Sequence, residues 1–165
     1  MLHSPESRAG RPGGMKATMS MKRLRCALAL FAFAVPARAQ TVLDGNTIVL
    51  EGRHVRLWGI EAPPLHSTCG GWPAGDIAAA FLRDLINNRS IACTARGLDV
   101  KGKLFGMCRS AGVDVGATMV RKGYAWAAVK YTRDYVEQEA AAKAENLQIH
   151  AHHCLPGPDS KPDGS

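Results

Sequence analysis

The sequence lacks a long hydrophobic run. Its longest uninterrupted apolar stretch is "CALALFAFAV" at residues 26–35, whereas a helix needs about 20 predominantly apolar residues to cross a membrane. This run is therefore too short for a permanent membrane anchor. A basic cluster at residues 22–25 precedes it, and "ARA" at residues 37–39, a small-x-small cleavage signal, follows it. This order predicts a signal peptide over residues 22–39, cleavage near Ala39 and a secreted or periplasmic mature chain.

The chain also lacks a charge excess once the leader is removed. The 165 residues include 21 Lys and Arg and 14 Asp and Glu. The leader, residues 1–39, holds seven of the basic residues and one acidic residue, which leaves 14 basic and 13 acidic groups and a net charge of +1. A nearly neutral chain gives little long-range attraction to phosphates, so nucleic acid is expected to be a weak, salt-sensitive partner of a monomer.

The cysteines and histidines lack any standard zinc-ligand spacing. The mature part has four cysteines, and an even number in a small exported domain favours two disulfides. A hairpin around residues 96–103 would pair Cys93 with Cys108. Cys69 and Cys154 would then tie the C-terminal tail to an early loop. The alternative is a metal site that combines cysteines with His150, His152 and His153.

No internal repeat is visible, and the hydrophobic pattern predicts short strands separated by helices. The order fits an α+β fold that is mainly β, a five-stranded OB-type Greek-key barrel with about three helices. The domain is expected over residues 40–150, and a Pro-, Gly- and Ser-rich tail over 151–165 is expected to be irregular. The predicted elements are a kinked strand over 41–50, a strand over 54–60, a helix over 76–88, strands over 90–94 and 104–109, a helix over 115–122 capped by Asp114, a strand over 124–129 and a helix from Thr132.

Four segments of the mature chain carry a family resemblance. In chain order they are "VLDGNTI", "VRLWGIEAPP", "LDVKGKLFGMC" and "VRKGYAWAAVKYTRDYVEQEAAAKAENLQIHA". Together they resemble the thermonuclease family, also called staphylococcal nuclease-like domains, from about Val42 to Leu147. The resemblance implies an OB barrel and calcium-dependent hydrolysis of phosphodiester bonds in DNA and RNA.

The resemblance also implies where a calcium ion would bind. The first metal ligand falls on Asn46, where the family has Asp, so a carbonyl oxygen remains without its charge. The second falls on Glu61, usually Asp, which keeps a carboxylate on a longer side chain. Ala62 would offer its backbone carbonyl, and Asp44 lies beside the site. Because Ca²⁺ affinity depends on the number of charged ligands, calcium binding is expected to be weak or absent.

The remaining catalytic positions of the family are only partly kept. The carboxylate that activates water falls on Pro64, which has no side-chain acceptor. The first phosphate-binding arginine is kept as Arg56, and the second falls on Lys103, which keeps the charge but loses the bidentate fork. A missing general base typically costs about 10²–10⁴-fold in rate. The sequence therefore predicts a nuclease by resemblance whose activity is weak or lost.

Two hypotheses from different classes follow from these residues. One is a weak or altered phosphodiesterase, in which His66, two residues beyond Pro64, is an alternative base or a surface histidine. The other is a non-catalytic OB-fold module that binds an oligonucleotide, another polyanion or a protein. Trp58 and Trp72 are candidates for stacking on bases, whereas Trp126 lies in an apolar run and is expected in the core.

Overall fold

The computed structural model describes residues 40–98 and 102–157. The predicted signal peptide and residues 158–165 of the predicted tail lie outside the described residues. None of the helices in the described part has both the length and the apolar character needed to span a bilayer. The elements in chain order are β1 (Gln40–Asp44), β2 (Thr47–Leu50), β3 (Arg53–Leu57), β4 (Ile60–Glu61), α1 (Ala74–Ile86), β5 (Ile91–Leu98), β6 (Leu104–Ser110), β7 (Val113–Asp114), α2 (Val115–Arg121), β8 (Trp126–Ala127) and α3 (Val136–Ala144).

The main sheet joins two antiparallel units through one parallel contact. Strands β1, β2 and β3 form a meander, and β5 and β6 form a hairpin against which β7 also pairs. β3 runs parallel to β6, while β4 and β8 form a separate two-stranded sheet. The α+β class and the three helices confirm the prediction. In the described residues the sheet runs β1-β2-β3-β6-β5 without joining its ends, so closure into a barrel stays a prediction.

Four of the predicted elements were wrong in detail. Residues 41–50 form a hairpin rather than one kinked strand, because the Asp44 carboxylate accepts a hydrogen bond from the Asn46 backbone N–H at 2.9 Å and stabilises a reversal. The strand predicted over 54–60 is divided between β3 and β4 by a turn at Trp58 and Gly59. The strand predicted over 124–129 shortens to β8, and the last helix begins at Val136.

The core lies between the sheet and the helices. Its fully buried side chains include Ile48 and Leu57 from the sheet, Leu82 from α1 and Met119 from α2. The predicted cap of α2 is confirmed, since the Asp114 carboxylate accepts a hydrogen bond from the Ala117 N–H at 2.9 Å. Trp126, 4 % exposed, is in the core as predicted.

The two disulfides join different parts of the fold. Cys93 and Cys108 are cross-strand partners in the β5–β6 hairpin, with Cα atoms 4.0 Å apart. Cys69, in the loop before α1, is bonded to Cys154 after α3, and 85 residues separate them. Both pairings agree with the sequence prediction. Disulfides of this kind persist in oxidising compartments.

Candidate functional site

Two predicted site segments meet at the bend between β1 and β2. Gly45 lies so close to Ala62 that a Cβ atom at position 45 would be 2.7 Å from the Ala62 Cβ and 2.9 Å from the Ala78 Cβ. Only a glycine permits this approach. The contact sets the bend that carries Asp44 and Asn46 against the segment that follows β4.

Asn46 is buried and its polar groups are engaged at this bend. Its side-chain Oδ1 accepts a hydrogen bond from the Thr47 hydroxyl at 3.1 Å. Its backbone carbonyl accepts one from the Leu57 N–H at 2.8 Å. Asn46 is thus fixed between β2 and β3, and Asp44 has one carboxylate oxygen committed to the turn itself.

Glu61 ends β4 as a buried carboxylate, 9 % exposed. Its backbone pairs with Trp126 of β8. A cleft of about 510 Å³ opens beside it, lined by the loop over residues 61–70, by Trp126 and by residues from the C-terminal end. One of those residues, Gly157, packs directly on the Glu61 carboxylate. A cation or a phosphate approaching Glu61 must therefore pass close to the C-terminal segment.

Pro64 stands exposed at the rim of this cleft and brings no carboxylate to it. Its backbone carbonyl accepts hydrogen bonds from the Ser67 N–H at 3.0 Å and from the Ser67 hydroxyl at 2.6 Å. In the same turn, His66 Nδ1 is 2.9 Å from Asp76 Oδ1 at the start of α1. His66 is not among the residues that line the cleft, so we assign it no role as a base.

Arg56 lies on β3, where its neighbours are Thr47 of β2 and Phe105 of β6. Its guanidinium carbon is 5.8 Å from the centre of the Phe105 ring, a cation–π contact that orients the group. Lys103 is exposed immediately before β6. Two cations thus lie at the β3–β6 junction, which is the position that the resemblance gives to the phosphate-binding arginines.

Three aromatic rings surround this junction, and sequence reasoning missed two of them. Trp58 packs edge-on against Phe105 at 5.9 Å between ring centres. Tyr131 lies 5.8 Å from Phe105 and 6.4 Å from Trp58, and it is 43 % exposed. The sequence indicated a cation next to an aromatic ring through the spacing of Arg56 and Trp58. Phe105 comes beside them only through the parallel pairing of β3 with β6.

The donor set around Glu61 does not fit a calcium ion. Ca²⁺ takes about six to eight oxygen ligands, and its affinity rises with the number of charged ones. Asn46 Oδ1 and Asp44 Oδ1 already accept hydrogen bonds within their own turn. The described part of the chain contains no group of three or more His, Cys, Asp or Glu side chains placed to share a cation. We therefore assign no reaction step to a bound metal.

Comparison with known proteins gives one family. A model of the family described as staphylococcal nuclease homologue matches residues 54–152. Two Escherichia coli proteins, one of them from strain O157:H7, are each named "Uncharacterized endonuclease". Each is 31% identical to the chain over 121 residues, which cover 66% of this chain and 76% of the relative. The matched residues 54–152 contain the positions of Arg56, Glu61, Pro64 and Lys103 and end before Cys154.

Proposed function

Because the chain belongs to the staphylococcal nuclease homologue family, we propose that it is an exported phosphodiesterase of weak activity toward DNA or RNA. The observation that carries the proposal is the contact of the Gly45 bend with Ala62, which sets Asn46 against the Glu61 segment. The family architecture is thus present, but the acidic groups that its chemistry needs are reduced to one buried carboxylate.

Phosphate binding falls to Arg56 and Lys103 in this proposal. A guanidinium can donate two parallel hydrogen bonds to a phosphate, and a Lys ammonium adds a point charge. Held over the Phe105 ring, Arg56 is preoriented for such a contact. Both groups would also stabilise the negative charge that grows on the phosphate as the transition state forms.

Water activation is the step that the chain lacks. Proton transfer needs an acceptor within about 2.6–3.2 Å of the attacking water, directly or through one further water. Pro64 supplies only a backbone carbonyl, and that oxygen already accepts two hydrogen bonds from Ser67. We infer that hydrolysis proceeds slowly, with solvent as the proton acceptor.

A second candidate function is supported by the aromatic rings beside Arg56. A cation flanked by exposed aromatic rings is a typical surface for single-stranded nucleic acid, because bases stack on the rings while the cation contacts the backbone. The exposed Tyr131 and the half-buried Trp58 and Phe105 supply the rings here. In this alternative the chain is a pseudoenzyme that binds oligonucleotides without cleaving them.

Export and the monomeric state belong to the same proposal. The two disulfides agree with an oxidising compartment, and the predicted signal peptide would deliver the chain there. We propose that the mature protein acts alone on nucleic acid, with calcium binding weakly or not at all.

The test compares cleavage with binding on the same oligonucleotide. Purified protein is incubated with end-labelled single-stranded DNA in calcium or in a chelator, and affinity is measured by fluorescence anisotropy. We expect salt-sensitive binding that Arg56→Ala weakens, with turnover far below that of a family member that has all the acidic residues. Turnover equal to such a member would contradict the proposed impairment. Absence of both binding and cleavage would contradict the assignment to nucleic acid.

A further inference from the structure

The C-terminal segment over residues 152–157, here called the strap, is attached to the loop before α1 at two points. The Sγ atom of Cys154 is bonded to that of Cys69. The His152 ring stacks on the Trp72 indole with ring centres 4.3 Å apart. Cys69 and Trp72 exchange backbone hydrogen bonds at 2.9 and 3.0 Å, so both points belong to one small closed turn.

Beyond these attachments the strap reaches Glu61. A Cβ atom at position 157 would overlap the Glu61 carboxylate and lie 2.7 Å from its Cδ. Leu155, between the disulfide and this contact, is 87 % exposed and contributes little packing of its own. The disulfide at Cys154 lies three residues before Gly157 and so limits how far Gly157 can move from Glu61.

We propose that the strap is a disulfide-latched cover over Glu61, and that reduction of Cys69–Cys154 uncovers this carboxylate. The inference concerns regulation of the site in the proposed function and rests on that function only for its biological consequence. The cover itself follows from the contact between Gly157 and Glu61 and from the position of the latch.

The latch opens by thiol–disulfide exchange with a dithiol reductant. One reductant thiolate attacks a latch sulfur, which breaks the Sγ–Sγ bond and releases the other cysteine as a thiolate that takes up a proton. The second reductant thiol, as its thiolate, then displaces the first cysteine, which is also protonated. The reductant leaves as a cyclic disulfide after giving two electrons to the protein, and two thiols remain at Cys69 and Cys154.

Access favours this disulfide over the other one, in which Cys93 is partly exposed but Cys108 is buried. Exchange requires that a thiolate reach a sulfur atom. Cys69 and Cys154 are both partly exposed, whereas Cys108 is 1 % exposed within the core. A mild reductant is therefore expected to open the latch before it opens Cys93–Cys108.

Once the latch is open, the stack of His152 on Trp72 still restrains the start of the strap. Backbone hydrogen bonds from the N–H groups of His152, His153 and Cys154 to the carbonyls of Gln148, His150 and Ile149 restrain it as well. All of these contacts involve strap residues 152–154. We expect residues 155–157 then to move away from Glu61, so that the cleft that Leu155 and Gly157 help to line loses one wall.

The test measures exposure of the Glu61 carboxylate directly. Full-length protein is treated with a water-soluble carbodiimide and glycine ethyl ester, and labelling of each carboxylate is read by mass spectrometry. We expect Glu61 labelling to rise several-fold after mild reduction and in Cys69→Ser/Cys154→Ser. Labelling of the exposed Glu137 should stay constant and serves as the internal standard.

Two further variants keep the test decisive. Gly157→Val leaves both disulfides in place but sets a side chain against Glu61, so it should displace the strap and also raise Glu61 labelling. Cys93→Ser/Cys108→Ser removes the other disulfide and should leave Glu61 protected. Unchanged Glu61 labelling in the reduced protein and in Gly157→Val overturns the inference. An equal rise in Cys93→Ser/Cys108→Ser also overturns it, because labelling would then follow general loosening of the fold.

Cleavage assays on the same samples separate this inference from the proposed function. If Glu61 is uncovered and no phosphodiester is ever cut, the cover stands and the proposed activity fails. If cleavage is found while Glu61 labelling never changes, the activity stands and the cover fails.

Discussion

The two sides of the candidate site differ in which charged residues of the family's pattern they contain. The β3–β6 side keeps the cations Arg56 and Lys103 beside three aromatic rings. The opposite side has Asn46 and Pro64 where acids are expected, and its one buried carboxylate, Glu61, lies under the strap. In the proposed function, binding a phosphate backbone uses the first side alone, whereas cleaving it uses both. The proposed function thus predicts that this chain loses turnover without losing its ligand.

The largest expected effect comes from restoring the acidic side. The changes are Asn46→Asp, Glu61→Asp, Pro64→Glu and Lys103→Arg made together. Since a general base contributes about 10²–10⁴-fold, we expect calcium-dependent cleavage of single-stranded DNA to increase by roughly that factor. The measurement is initial rate with and without a chelator, made with reductant as well so that the strap is not limiting.

The matched control for this restoration omits Pro64→Glu. Without the base, the other three changes should improve calcium binding but give little additional turnover. A folded four-residue variant that stays inert would show that these positions do not carry the roles that the family resemblance gives them.

The two disulfides allow the next comparison, which concerns stability. In the chain-entropy account a disulfide stabilises more when it closes a longer loop, and separations of 85 and 15 residues give about 4–5 and about 3 kcal/mol. We therefore expect Cys69→Ser/Cys154→Ser to lower the free energy of unfolding more than Cys93→Ser/Cys108→Ser does. Urea denaturation followed by fluorescence measures both. The reverse order would mean that the sheet disulfide contributes through packing of Cys108 in the core.

A smaller effect, on oligonucleotide affinity, is expected from changing the aromatic ring of Tyr131. Stacking of a base on an aromatic side chain is worth about 1–3 kcal/mol, so Tyr131→Ala should weaken binding of a short single-stranded oligonucleotide by roughly 5–150-fold. Tyr131→Phe keeps the ring and should bind almost as well as the unchanged protein. Equal affinities for all three proteins would remove Tyr131 from the binding surface.

The smallest expected effect is on the pH dependence of stability, and it comes from His150, just before the strap. Burial lowers the pKa of this histidine, while the Glu139 carboxylate raises it and the Lys143 ammonium lowers it further. The unfolded chain, with a pKa near 6.5, then takes up the proton before the folded protein does. Stability is full above about pH 6.5 and decreases as the pH falls through the lowered value in the folded state. Urea denaturation at neutral and mildly acidic pH should show this decrease, and His150→Gln should reduce it. His54→Gln, on an exposed strand position, should leave it unchanged.

Local patterns predicted much of the fold and only part of the site. Asp114 as a cap and Cys93 opposite Cys108 follow from turn and hairpin chemistry, which acts over a few residues. The reversal at Gly45 was missed because the apolar residues on both sides of it resemble one continuous strand. The contact of Gly45 with Ala62 was also out of reach, because it depends on tertiary packing. The same holds for the strap, since no local signal places Gly157 on a carboxylate 96 positions earlier. The roles of Arg56, Glu61 and Pro64 stay predictions.

The parallel pairing of β3 with β6 also determines at which stage of folding Arg56 meets Phe105. In the described sheet it is the one link between the β1–β3 meander and the β5–β6 hairpin, and it joins Arg56 to Phe105. Pairing strands that are distant in sequence requires closing a long loop, so such contacts form slowly. Each antiparallel unit can form by itself, but neither contains both the cation and its ring. The contact of Arg56 with Phe105 therefore forms only with the completed domain, and an unfolded chain does not have it.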